Sequence, residues 1–445
     1  MDRRDLLKNT AAAVAGGAAS ILTPNNAAAA QAPAVVRSGN VGRPFKAWVR
    51  SGTEIRMEDL RLLPLGPRSV LIRTEATQCC YSMVGEVLAP TQQNPPKIIG
   101  HGGIGVVEEI GTQVKRVKVG DRVIVANTPQ CGTCYHCLQG RSDMCEVKVM
   151  ALVPIAERVD GTKVVGHNNY GGFADLMVAF EEYLVPTVTK VSPVELAVLS
   201  CVGGAGLAAS VTFVPIQAGT NVAVMGCGPI GLSAVQGARI MGAKQIIAIE
   251  PIAYRRELAL KLGATTALDP NVEGDGLVDK VHDLCKGDIN SIFGGGRDLT
   301  PGGGAGAFGT GQTRPYGPDF VIEAVGADRF PPKAGAGPDP TGLKALQQAY
   351  LMTGGSGHLT TTGVYQGNLT LPAGTFAISG RTHHSGQLGG GANTFRDMQR
   401  FVHLVEKGLY DAKSLATGIY KLEQTKDAFQ AVADRTTVTA IVVFG

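Results

Sequence analysis

Four of the chain's nine cysteines fall at Cys131, Cys134, Cys137 and Cys145, a C-x2-C-x2-C-x7-C run. Four thiolates on one compact loop can close tetrahedrally around zinc. In an oxidising compartment the competing reading is two disulfides, but the two-residue gaps hold the sulfurs in one knot that suits a metal better. Outside that run stand Cys80, in Gln78-Cys79-Cys80-Tyr81-Ser82, His101, in Gly100-His101-Gly102, and Cys201, in Leu199-Ser200-Cys201. Two thiolates and one imidazole make a ligand set with a fourth position left for water or substrate, the layout of a catalytic zinc. A single cysteine or histidine is more often packed core; the order of these residues around the four-cysteine run is what marks them.

A second kind of chemistry sits at Gly226-Cys227-Gly228-Pro229-Ile230-Gly231, directly after the apolar run Val222 to Met225 and directly before a helical stretch. Glycines there let backbone N–H groups approach a pyrophosphate at a helix N-terminus. Glu250 ends the next apolar run, 19 residues after Gly231, where an acid accepts hydrogen bonds from the adenosine ribose. An acid also repels a 2′-phosphate, which favours NAD over NADP. The competing reading is an ordinary Gly-rich turn between strand and helix.

The elements that must position these residues fall into two patterns. From Lys46 to Arg73, and again from Ile104 to Val125, short β-branched runs alternate with Gly, Pro and Asp, which predicts antiparallel strands and turns. Between Ala205 and Pro270 the period changes. The run Val222 to Met225, a helix to Met241, the run Ile246 to Ile249 and a helix from Tyr254 to Leu262 predict βαβ units on a parallel sheet. A later strand is expected at Asp319 to Val325, a helix at Phe395 to Lys407 and a terminal strand near Val438 to Phe444. The Gly/Pro-rich stretches Gly287 to Pro318 and Phe330 to Gly342 read as long surface insertions.

Arg3-Arg4-Asp5-Leu6-Leu7-Lys8, an apolar stretch from Ala11 to Leu22 and the small-residue run Ala27 to Ala30 make the three parts of a signal peptide over residues 1–30. The paired arginines resemble a twin-arginine signal, with Asp2 where Ser or Thr is usual; an amphipathic N-terminal helix is the alternative. That route carries folded proteins, so metal could load before export to the periplasm. The apolar run is too short to cross a bilayer, which needs about 20 residues, and no other stretch reads as long and apolar enough. With 445 residues, 44% hydrophobic and 18% charged, against about 25% charged in an average chain, the chain is built to fold. Its net charge of +4 is scattered, which argues against a nucleic-acid partner.

Together these residues resemble the zinc-containing medium-chain alcohol dehydrogenases, over nearly all of the chain from Phe45 to Phe444. Cys80, Gly100-His101, the four-cysteine loop, Gly171-Gly172-Phe173-Ala174, Cys201, the dinucleotide turn and Gly380-Arg381-Thr382 carry the resemblance. It implies a GroES-like, mainly β catalytic domain split around a Rossmann doubly wound parallel-sheet domain. The expected bounds are 34–204 for the first part, 205–366 for the Rossmann domain with its insertions, and 367–445 for the return. It also implies one catalytic and one structural zinc, NAD, and a small alcohol or aldehyde substrate. Ser82 would be a proton relay, Arg255 would support the adenosine ribose, and family habit suggests a homo-oligomer.

The departures are specific. The family's acid that orients the zinc-bound histidine is Met83 here, the glutamate that follows the histidine is Gly102, and the distal relay histidine is Gly85. Tyr81 and Thr439 stand where some relatives place basic residues against the pyrophosphate, and Cys79, His383 or His384 are candidates to compensate. The leading reading is an exported zinc-dependent dehydrogenase using NAD, with the cofactor tightly held and an electron-accepting partner to reoxidise it. The alternative is a catalytically weakened relative that binds a ligand or partner.

Overall fold

The computed structural model describes residues 39–285, 317–328, 339, 341–386 and 388–445. The expected signal peptide and most of the two Gly/Pro-rich stretches lie outside the described residues.

Strand Ser69–Cys79 organises the first half of the molecule. On one side it pairs antiparallel with Gly103–Ile110. Its other side is shared, first by Leu176–Phe180 along residues 69–73 and then by the terminal strand Thr439–Val443 along residues 76–79. The C-terminus of the chain thereby returns to the first half, as the split-domain reading expects. Val70, Leu71, Ile72 and Ala76 have no solvent exposure, because this strand is covered on both faces rather than alternating. Beside this sheet, Pro44–Ser51, Glu54–Leu62, Pro154–Glu157, Lys163–Gly166 and Lys97–Ile98 close a small barrel.

The second half is a six-stranded parallel sheet in the spatial order Thr266–Leu268, Gln245–Ile249, Asn221–Met225, Phe320–Glu323, His358–Thr361, Thr382–Ser385. This is the doubly wound order in which ligands lie outside the carboxyl ends of the central strands. Helices Pro229–Ile240 and Ala253–Leu262 connect its first strands, in the places the sequence predicts. Pro229 opens the first of these at a position where its missing N–H costs nothing.

Two expectations are corrected. The parallel sheet does not end at residue 366, because Thr382–Ser385 pairs with His358–Thr361 in parallel register. Its sequence, Thr-His-His-Ser, is polar because it is the sheet's edge and mostly exposed, so it carried no apolar signature. Secondly, one stretch beyond the leader is long and apolar enough to cross a membrane by length and composition: helix Pro193–Thr212, with most of its length buried inside the fold. It begins with a capping box, Ser192 with Glu195, and packs against helix Pro229–Ile240 so closely that a Cβ at Gly206 would lie 2.2 Å from the Ile230 carbonyl oxygen. Its apolar character belongs to the core between the two halves.

Candidate active site

Cys80 follows the long strand directly, His101 lies in the loop before Gly103–Ile110, and Cys201 lies in a π-helical segment, Leu199–Gly203. Such segments are rare and cluster at functional sites. The fold brings these three distant residues together, with their ligand atoms within 4.8 Å of one another. His101 and Cys201 are buried at 6% and 5% exposure, and Cys80 is half-buried.

The histidine loop is held from beneath. Gln78 Nε2 donates to the His101 carbonyl at 3.1 Å, Thr77 Oγ1 donates to the Gly102 carbonyl at 2.8 Å, and the Gly102 N–H donates to Tyr170 Oη at 2.8 Å. Gly102 adopts φ +77°, and a Cβ there would fall 2.6 Å from Ser200 Oγ, so the glutamate of other family members has no room in this backbone. His101 Nε2 is buried and makes no hydrogen bond among the described residues, an orphan that a metal would satisfy. A hydrogen bond from Cys201 holds the Cys80 thiol well below the ordinary thiol range against the opposing effect of burial, with His101 and Ser82 adding to it. The same hydrogen bond and burial raise Cys201. Ser82 is exposed, and its hydroxyl donates to Cys80 Sγ at 3.1 Å.

Cys131, Cys134, Cys137 and Cys145 form a second cluster, again with sulfurs within 4.8 Å. All are free thiols, and the 3.9 Å between Cys131 and Cys137 sulfurs is nearly twice a disulfide bond. The N–H groups of Thr133 and Cys134 donate to Cys131 Sγ at 3.4 and 3.3 Å, and the Cys131 N–H donates to Cys145 Sγ at 3.4 Å. Burial works against ionisation of Cys131, but the donors from Thr133 and Cys134 bring it down to about 6. Four convergent sulfurs fit zinc without an open position.

The glycine-rich turn fits a dinucleotide. Gly226 has φ +87°, and a Cβ at Gly231 would sit 1.7 Å from the Gly226 carbonyl oxygen. At Gly228, just before the helix, a Cβ would meet only Arg255 Nη1 at 3.9 Å, so the ground in front of the helix N-terminus is open. Glu250 is buried at the end of Gln245–Ile249, where its Oε2 accepts the Cys227 N–H at 2.7 Å and its Oε1 the Ile252 N–H at 3.0 Å. It thus braces the turn, and each oxygen keeps a lone pair for a ribose hydroxyl. Arg255 is buried beside it, donating from Nη2 to the Thr437 carbonyl at 2.9 Å and from Nε to Tyr254 Oη at 3.0 Å.

The residues suspected of compensating for the missing acids lie elsewhere. His383 and His384 are on the edge strand, hydrogen-bonded to Thr361 and His358 at 3.0 Å each. Cys79 is buried, and that burial raises its thiol. Met83 packs in the same apolar cluster as Cys79, with Val84, Val87 and Phe429, which is why no acid stands there. Thr439 is buried in the terminal strand at 1% exposure.

Sequence reasoning missed a polar rim. Asn127 donates its N–H to the Ser200 carbonyl at 3.0 Å, and Asn168 Nδ2 donates to Asn127 Oδ1 at 3.0 Å. The His167 ring lies 5.5 Å from that of His101, and Glu86 accepts from Arg50 at 2.9 Å and pairs with Lys97 at 2.6 Å nearby. One signal was available: Asn168 and Asn169 are consecutive residues at positive φ, 51° and 65°, and asparagine is the non-glycine type that tolerates that region.

Residues 66–189 match the family described as alcohol dehydrogenase GroES-like domain, and residues 229–334 match that described as zinc-binding dehydrogenase. The chain is 29% identical to the NDMA-dependent alcohol dehydrogenase of Amycolatopsis methanolica, over 88% of this chain and 96% of that one. It is 31% identical to the S-(hydroxymethyl)glutathione dehydrogenase of Candida maltosa, over 57% of this chain and 70% of that one. Among solved structures, benzyl alcohol dehydrogenase from Acinetobacter calcoaceticus superposes with a TM-score of 0.72 at 21% identity, covering 91% of this chain and all of that one (100%), a likeness of fold.

Proposed function

This chain belongs to the zinc-type medium-chain dehydrogenase/reductase family, and we propose that it is an exported dehydrogenase that exchanges a hydride between a small alcohol or its aldehyde and NAD. The observation that carries the reading is the orphaned His101 Nε2 among two convergent thiols. Zinc held there would polarise the substrate oxygen, and the nicotinamide would take or return the hydride.

The chain's own residues do the rest. Cys80, His101 and Cys201 present an N/S ligand set with room for one more partner, and Cys131, Cys134, Cys137 and Cys145 would hold a separate structural zinc. Ser82 Oγ, exposed beside Cys80, receives the proton of the substrate hydroxyl and passes it towards solvent. The turn Gly226–Gly231 offers backbone donors to the pyrophosphate, with Glu250 accepting from the ribose and discouraging a 2′-phosphate and Arg255 supporting the same end of the cofactor. The leader over residues 1–30 supports export to the periplasm by the twin-arginine route, with metal and cofactor loaded first. A cofactor held tightly by these residues would need an oxidant that reaches it in place, either a second carbonyl substrate or an electron-accepting partner.

Metal analysis with a panel of primary, secondary and aryl alcohols tests the proposal. The expected result is about two zincs per chain and oxidation of at least one alcohol class. The rival reading, a ligand- or partner-binding descendant, draws on Met83, Gly85 and Gly102; metal confined to the four-cysteine loop, with no turnover, would favour it.

A further inference from the structure

The residues between Cys137 and Cys145 bond to the chain as it returns from the parallel sheet. Arg141 clasps the fully buried Asp143 through Nε and Nη2, each at 2.8 Å, and Nη2 also donates to the Ser385 carbonyl at 3.1 Å, where the edge strand ends. The Ser142 N–H donates to the Ala392 carbonyl at 2.9 Å. The buried Ser142 hydroxyl donates to the same carbonyl at 3.1 Å and accepts the N–H of Thr394, which opens helix Thr394–Glu406, at 2.9 Å. At the other end of the loop, Arg116 Nη2 donates to the Cys131 carbonyl at 2.8 Å and its guanidinium lies 4.6 Å from the centre of the Phe395 ring. The returning segment, residues 385–395, is thus fastened to both ends of the four-cysteine loop. It also packs against the helix of the open site: a Cβ at Gly204 would stand 3.2 Å from the Gly389 carbonyl oxygen and 3.2 Å from Met398 Cε, and Leu388, Met398 and Cys201 share one apolar cluster. Thr394 Oγ1 donates to the Thr128 carbonyl at 3.1 Å, and the neighbouring Asn127 N–H donates to the carbonyl of Ser200, directly before Cys201, at 3.0 Å.

Resting on the reading of both cysteine clusters as zinc sites, we infer that Ser142 and Thr394 are positioning residues that couple them, so that metal in the four-cysteine loop tightens metal binding at Cys80, His101 and Cys201. Metal in the loop fixes Cys137 and Cys145, the two ends of the interval that carries Arg141, Ser142 and Asp143. With both ends fixed the interval keeps one arrangement, because Asp143 has no solvent exposure and a buried carboxylate is tolerated only while its partner faces it. An empty loop frees both ends, and the Ser142 hydroxyl, which holds Ala392 and Thr394 together, moves with them. The start of helix Thr394–Glu406 then shifts against Thr128 and against the helix that carries Cys201. Such coupling travels through contiguous packing and hydrogen bonds, and it is reciprocal: metal at the open site must tighten the loop by the same factor.

Chelator competition on the cobalt-loaded full chain reads the two sites separately, since four sulfurs and two sulfurs with one nitrogen differ in thiolate-to-cobalt absorption. Cys137→Ser, which breaks the four-sulfur set, should make the open site lose its metal about 5- to 150-fold more readily. Cys201→Ala should loosen the loop metal by the same factor. Ser142→Ala keeps every ligand and should loosen the open site by a similar amount with the loop still loaded. Adding Cys137→Ser to it should cost little more, because both changes cut one link. Thr394→Val should behave like Ser142→Ala, and Thr394→Ser, which restores the hydroxyl, like the parent. If Cys137→Ser does not fold, that contrast and the loop metal of Cys201→Ala decide. An open site indifferent to the loop metal, a loop indifferent to Cys201→Ala, or losses that add in full would overturn the inference and leave the dehydrogenase proposal standing. A parent chain that takes up metal only at the four-cysteine loop would overturn both.

Discussion

Tyr81 donates its hydroxyl hydrogen to Asp328 Oδ1 at 2.8 Å, so the residue that follows Cys80 is tied to the loop beyond the fourth parallel strand. Arg435 completes the contact, pairing with the same oxygen at 2.8 Å and lying 5.6 Å over the Tyr81 ring. The same C-terminal turn is fastened on its other side, where Tyr254 donates to the Arg435 carbonyl and Arg255 to that of Thr437. The two halves are therefore bridged on both flanks of the dinucleotide turn.

Breaking that bridge should loosen the cofactor. A hydrogen bond to a charged group is worth about 1.5–3 kcal/mol, and about 1.4 kcal/mol is a factor of ten. Asp328→Ala should therefore speed release of bound NADH by about tenfold or more, measured by the decay of its nicotinamide fluorescence on dilution, with both metals retained. An unchanged release rate would remove Asp328 from any part in holding the cofactor.

The two metal sites should separate by mutation. Cys201→Ala removes one sulfur from an open three-ligand set, so it should lose one zinc per chain and all turnover while the fold survives. Alkylation of the denatured, unreduced protein should label all of Cys131, Cys134, Cys137 and Cys145, because the sulfurs are separate thiols. Retention of both metals in Cys201→Ala, or two disulfides in the loop, would contradict the assignments one at a time.

Much of this was legible in residue order because it is local. The short β-branched runs between Lys46 and Arg73, the run at Asn221–Met225 with its glycine turn and the knot of cysteines each occupy a short window. The edge strand Thr382–Ser385 was not legible, since its only structural signature is backbone pairing to His358–Thr361. The polar rim around Asn127 was equally hidden. Asn127 and Asn168 are 41 residues apart in sequence, and the Ser200 carbonyl that accepts the Asn127 N–H belongs to a third segment. Glu250 was assigned to the ribose from spacing alone, and only the packed turn reveals that it also braces the Cys227 N–H.

Stability should carry the mark of Glu323, which has no solvent exposure at the end of its strand beside the dinucleotide turn. Burial raises its carboxyl from 4.5 to about 7, against the opposing donors from the Gly326 and Val325 backbone. A carboxyl raised on folding binds its proton more tightly in the native state, so its contribution is full below about pH 4.5 and is lost as pH rises through about 7. The loss approaches about 3 kcal/mol at 1.36 kcal/mol per pKa unit. Glu323→Gln keeps an oxygen to accept from the Val325 and Gly326 N–H groups, and Tyr365, which hydrogen-bonds to the carboxyl, can turn to accept from the amide. Urea unfolding at pH 5 and pH 8 should show this variant with a flatter pH dependence than the parent and greater stability at pH 8; identical slopes would mean that Glu323 titrates normally.

The export reading makes the strongest demand on the cofactor. Outside the cytosol, free NAD is scarce, so an enzyme that needed it as a diffusing substrate would idle there. A protein exported folded can bring its cofactor along, and here the turn that would hold it is bridged on both flanks by Asp328 with Tyr81 and Arg435, and by Tyr254 and Arg255. Protein recovered from the periplasm should then release NAD or NADH on denaturation at close to one per chain. It should also oxidise alcohol with an external electron acceptor and no added NAD, because the hydride taken from one substrate is removed in place. Asp328→Ala, exported in the same way, should arrive with less cofactor and regain activity when NAD is supplied. Parent protein that arrives empty and saturates with added NAD in the ordinary manner would show the bridges to be hinges rather than fasteners, and the enzyme to depend on whatever nucleotide its surroundings provide.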